Sequence, residues 1–107
     1  MARRELLNGD LIEWDDAGEE ILAITVHHQR FETGSIVVAR RTCHLSPTIT
    51  IGSVGILMMI EDPREREVSD YLVCQFPETG ENRFFRMKPG EVAPVAEVFD
   101  RHGPLIH

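Results

Sequence analysis

Residues 49–60 read ITIGSVGILMMI, the most apolar run of the chain, with Gly52 and Gly55 three positions apart inside it. Two chemistries place glycines this way. A phosphate-binding loop uses them to let backbone N–H groups close on an anion at a helix N-terminus. A strand uses them to turn or to bulge. Gly55 is succeeded by Ile-Leu-Met-Met-Ile-Glu-Asp-Pro, apolar and then stopped by proline, without the Lys-Ser or Lys-Thr of a phosphate loop. The strand reading therefore holds. Ile49 and Ile51 alternate, then Val54, Ile56, Met58 and Ile60, with the parity slipping by one residue at Gly52–Ser53. Such a slip moves every later side chain to the other face unless a turn or bulge absorbs it, a role expected of Gly52 or Gly55.

Short runs of β-branched residues between turn signals continue on both sides, the pattern of an all-β meander. Residues 9–34 read as an N-terminal hairpin. In GDLIEWD, Leu11 and Glu13 alternate against Ile12 and Trp14, and DDAGEE (15–20) supplies the acids and glycine of a hairpin turn. EILAITVHH (20–28) starts at Ile21 and sets Leu22, Ile24 and Val26 on one face, with Ala23, Thr25 and His27 on the other. Its Ile-Thr-Val segment lowers helix propensity. FETGS (31–35) turns the chain into IVVARRT, EDPREREVSD (61–70) is a charged loop, and YLVCQF, PETGEN and RFFRM form strand, turn and antiparallel strand. Neighbouring strand positions face opposite ways, so one of Phe84 and Phe85 is expected at the surface. After KPGE, Pro94 suits a first helical turn and Gly103–Pro104 a stop, which predicts a short helix over 94–103.

The 107 residues, 42% apolar and 27% charged, fit one globular domain spanning 1–107. No apolar run approaches the ~18 residues needed to span a bilayer, and MARRELLNGD turns polar before a signal-peptide core forms. A cytoplasmic protein without membrane contact is expected. Two cysteines, Cys43 and Cys74, lack C-x-x-C spacing and are expected as reduced thiols in strands.

Formal charge is −7, so the mean field repels phosphate backbones and nucleic acid is disfavoured as a partner. Asp10, Glu13, Asp15, Asp16, Glu19 and Glu20 form an acidic lobe. Elsewhere arginine dominates the bases, and ARRT with NRFFRMK place Arg40, Arg41, Arg83, Arg86 and Lys88 in candidate strands. The rigid guanidinium fork suits carboxylate recognition. An exposed aromatic beside Arg83 and Arg86 has the composition of an interface anchor.

The stretch SIVVARRT … IGSVGILMMIEDP … DYLVCQFPETGENRFFRMKPGEVAPV, residues 35–95, resembles a group of SH3-like small barrels. They are the C-terminal domain of the β chain of nitrile hydratase, the peripheral stromal subunit IV of photosystem I and the nitrogenase-associated protein NifZ. Gly52, Val54 and Gly55 match the glycine-bearing strand start. Tyr71, Leu72, Val73 and Phe76 match a Tyr-Leu-Val-x-x-Phe strand, Phe84 and Phe85 the closing aromatic strand, and Pro89, Glu91 and Val92 the segment after it. The resemblance implies an accessory barrel that docks on a larger enzyme or redox complex, with no catalytic residues of its own. The metal-binding cysteine cluster of nitrile hydratases sits on their other chain and has no counterpart here.

Two further readings compete with that protein-binding one. A small metal-binding or metal-delivery protein would draw on Cys43, His44, Cys74, His27 and His28. In strands, however, Cys43 and His44 point to opposite faces, as do His27 and His28, so neither pair serves one ion. A nucleic-acid-binding barrel is disfavoured by charge. The reading taken is an all-β fold, an SH3-like barrel over 35–95 preceded by the 9–34 hairpin. It needs no metal or other cofactor, and it binds a protein partner through Arg40, Arg41, Arg83, Phe84, Arg86 and the charged loop.

Overall fold

The computed structural model describes residues 3–7, 9–43, 46–66, 69–80 and 82–95. Among them the chain is all-β apart from one helical turn, α1 (Pro63–Arg66), a 3-10 turn at Pro77–Thr79 and the helical residue Val95 that follows the last strand. The strands are β1 (Arg4–Leu7), β2 (Asp10–Trp14), β3 (Ile21–Val26), β4 (Gln29–Glu32), β5 (Ile36–Ala39), β6 (Val54–Ile60), β7 (Leu72–Gln75), β8 (Phe84–Met87) and β9 (Val92–Pro94). They form two antiparallel sheets. The N-terminal sheet is a meander, β1-β2-β3-β4, and the C-terminal sheet runs β8-β7-β6-β5-β9.

The expected hairpin is thus the centre of a four-stranded sheet. β1 joins it across Gly9 and β4 across His27 and His28, both of which have positive φ, 50° and 68°. Two left-handed residues between paired positions Val26 and Gln29 make the twisted two-residue turn that hairpins favour. The histidines are therefore turn residues and not strand residues, and the turn signal was hidden because neither is Gly, Asn or Asp.

Each sheet contains one β-bulge, and both relocate side chains that strict alternation misplaces. Glu13 pairs with Ala23 but Trp14 pairs with Ile21, so Leu22 is the extra residue of β3. Ile21, Ile24 and Val26 are buried and Leu22 is exposed, the reverse of the alternation expected for Leu22. In β6, Leu57 pairs with Cys74 and Met59 with Val73, so Met58 is the extra residue. The parity slip expected at Gly52–Ser53 lies here instead. Gly55, Leu57 and Ile60 face inward, while Val54, Met58 and Met59 are exposed and Ile56 is half-buried.

One continuous core joins the two sheets, with Ile12, Ile24 and Phe31 from the first, Leu57, Leu72 and Phe85 from the second, and Phe76 from just after β7. Trp14, 6% exposed, closes its edge. Arg3 and Arg64 stack over the indole at 4.6 and 5.4 Å from its centroid. Arg64 comes from α1 and is held by Asp62 (3.0 Å) and by Glu5 of β1, so the charged loop clasps the edge of the N-terminal sheet. This pairing holds the Asp62 carboxyl below its ordinary pKa.

Pro94 ends β9, opposite Val37 of β5, and is not a first helical residue. Helical backbone starts one residue later, at Val95, and the remainder of the helix expected over 94–103 lies outside the described residues. No helix among the described residues is long and apolar enough to cross a membrane.

Candidate functional site

The outward face of the C-terminal sheet follows from register alone. Ile36 pairs with Ile56, Ile56 with Gln75 and Gln75 with Phe84, so these four side chains form one row across β5, β6, β7 and β8. On either side lie the rows Val54–Val38–Ala93 and Met59–Val73–Arg86. Antiparallel sheets usually put polar residues on a solvated face. This one is apolar in most positions. Phe84 is 61% exposed, Ile36 51% and Met59 50%, whereas Phe85, one residue along, is 3% exposed and in the core. Period-two alternation thus puts Phe84 at the surface, and β8 is an edge strand, so its aromatic ring sits at the rim of the sheet.

The five residues expected to bind a partner distribute unevenly around this face. Phe84 and Arg86 lie on it, two positions apart on β8. Arg86 is ion-paired with Glu61, which raises its pKa further and leaves it less available than its exposure suggests. The guanidinium of Arg83 stacks 5.1 Å from the centroid of Phe85. Arg40 and Arg41 are not in a strand: β5 stops at Ala39, and they form an exposed bend whose Arg40 N–H donates to the Glu91 carbonyl. By register they stand at the same end of the sheet as Arg83 and Phe84, with β6 and β7 between. Sequence reasoning missed Ile36 and Met59. The first lies in a run in which every residue is apolar, so no face is marked, and the second is displaced by the Met58 bulge.

The two glycines of the opening stretch serve backbone geometry, each in a different way. Gly52 has φ of +91° in the Thr50–Ser53 turn, where the Ser53 N–H donates to the Thr50 carbonyl. Gly55 lies under Phe76. A Cβ there would stand 2.7 Å from two Phe76 ring carbons and 2.8 Å from the Gln75 carbonyl oxygen, so hydrogen is the only side chain that fits.

Cys43 and Cys74 are free and buried. Burial pushes the Cys74 thiol up to about 12, with smaller contributions from Cys43 and Glu91. His27 and His28 are exposed in their turn, and His44 lies outside the described residues. Among the described residues no three His, Cys, Asp or Glu side chains converge in a way that could hold a metal ion.

No family model, curated protein or solved structure matches this chain.

Proposed function

We propose that this chain is a non-enzymatic, SH3-like cytoplasmic docking module. Its partner is a protein that presents carboxylates around an apolar patch. The observation that carries the reading is the exposed row Ile36–Ile56–Gln75–Phe84, apolar at three of its four places, on a sheet face that water would otherwise select to be polar. Phe84 is the anchor, an aromatic that loses little conformational entropy when buried. Arg40 and Arg41 make no ion pair with a described residue and supply forked donors for carboxylates at the rim. With −7 overall, these arginines orient the partner more than they attract it from a distance.

The test is affinity isolation from the native host with three forms of the chain: unaltered, Phe84→Asp, and Leu6→Asp. Leu6 is 77% exposed on β1, in the other sheet, and controls for loss of any surface apolar residue. A stoichiometric partner held by the unaltered and Leu6→Asp forms and lost by Phe84→Asp is expected, with unchanged circular dichroism. Retention of that partner by Phe84→Asp overturns the reading. So does a stoichiometric transition metal that elemental analysis finds and that Cys43→Ser removes.

A further inference from the structure

A second surface lies at the junction of the two sheets, where both bulges come together. A cleft of about 270 Å³ opens there. Its apolar lining is Trp14, Ile21, Met58, Met59 and Ile60, with Thr33 beside them. Four carboxylates stand around it: Glu19 and Glu20 from the β2–β3 turn, Asp62 and Glu65 from the charged loop. Among the described residues no base lines the cleft. Asp62 is answered by Arg64, but Glu19, Glu20 and Glu65 make no ion pair with a described residue and are exposed. Among the described residues the rim of this apolar channel carries only negative charge, which selects an occupant by sign as well as by hydrophobicity.

Trp14 supplies an independent indication. Its indole N–H is buried and has no acceptor. A donor left unpaired in this way costs roughly 1–3 kcal/mol and asks for an explanation. The ring face is occupied by Arg3 and Arg64, so stacking cannot be what the cleft offers a ligand. There remain the edge of the indole, two flexible thioethers that adapt to irregular apolar shapes, and the carboxylate rim.

From these features we infer that the cleft binds a basic segment of a partner protein. A large aliphatic side chain inserts between Trp14 and the methionines, and flanking lysines or arginines meet Glu19, Glu20 and Glu65. This site is separate from the outer sheet face and does not depend on Phe84; only Met59 borders both.

The chain has one tryptophan, so its emission reports on the cleft directly. The probe is an octapeptide of sequence KLLKKLLK, with ELLEELLE as the charge-reversed control, titrated at fixed ionic strength. Saturable change in Trp14 emission with the lysine peptide and none with the glutamate peptide is expected. Glu20→Lys weakens binding about five- to tenfold, whereas Glu78→Lys, an equal charge change on the exposed Pro77–Thr79 turn, shifts it less than about twofold. Met59→Ser also weakens it, and Phe84→Asp does not, which separates failure of this site from failure of the sheet face. Equal weakening by Glu78→Lys, equal response to both peptides, or no response in Trp14 emission overturns the inference.

Discussion

At the scale of single residues, the two glycines of residues 49–60 show how the same residue type meets different physical demands. Gly52 has open space where a Cβ would go, and only its φ of +91° is costly to an L-residue. Gly52→Ala is therefore expected to cost about 1–2 kcal/mol, and Gly52→Asn less, because a short polar side chain tolerates that region. Gly55→Ala faces a collision with the Phe76 ring and with the backbone of Gln75, which cannot swing aside. Overpacking of this kind costs roughly 1–3 kcal/mol. Urea denaturation should show the larger loss at Gly55. That ordering was not legible beforehand, since both positions read simply as glycine in an apolar strand; which one bends the chain and which one yields space to an aromatic depends on what lies across the sheet.

Among the elements, the charged loop is where expectation and structure differ most instructively. EDPREREVSD reads in sequence as a charged loop offered to solvent or to a partner. Folded, its Arg64 ties α1 to β1 through Glu5 and covers Trp14, so a loop and an edge strand 59 positions apart stabilise one another. Arg64→Ala should cost about 1 kcal/mol, the sum of a weak exposed ion pair and a cation–π contact. It should also alter Trp14 emission. The sign of the acid dependence follows from Asp62, whose carboxyl pKa is depressed below its ordinary 3.8 chiefly by the Arg64 hydrogen bonds. Stability from this group is present above that ordinary value and is lost as pH falls below it. In Arg64→Ala this part of the acid transition should disappear from the denaturation midpoint plotted against pH.

For the whole molecule, burial of neutral acids sets behaviour at the alkaline end. Tyr71 is pushed up to about 12 by desolvation, with a smaller contribution from Asp10, and Cys74 to about 12 mainly by burial. In the unfolded chain these groups ionise near their ordinary values, 10.0 and 9.0. Their folded pKa values are raised, so the stability they contribute is complete below about pH 9 and is lost as pH climbs toward 12. Denaturation midpoints should fall across that window, and Cys74→Ala should flatten its lower part. The same burial predicts that neither thiol reacts with a disulfide reagent at pH 8 faster than the domain opens. Prompt stoichiometric reaction in the native protein would contradict it.

The sequence by itself determined that the chain is all-β, where most turns fall, and that one of the paired phenylalanines must be outside, because period-two side-chain alternation and turn chemistry are local properties of the backbone. Even there it left unread Asn8–Gly9, a strong hairpin signal that precedes β2. Tertiary structure alone decided the two bulges, the His27–His28 turn and the clasp on Trp14. Each depends on a partner strand or loop remote in sequence: a bulge is defined only against the strand it faces, and a left-handed histidine pair is tolerated only because two paired strands hold it. The apolar outer face and the acid-rimmed cleft belong to the same class, since a surface is made by residues that register brings side by side.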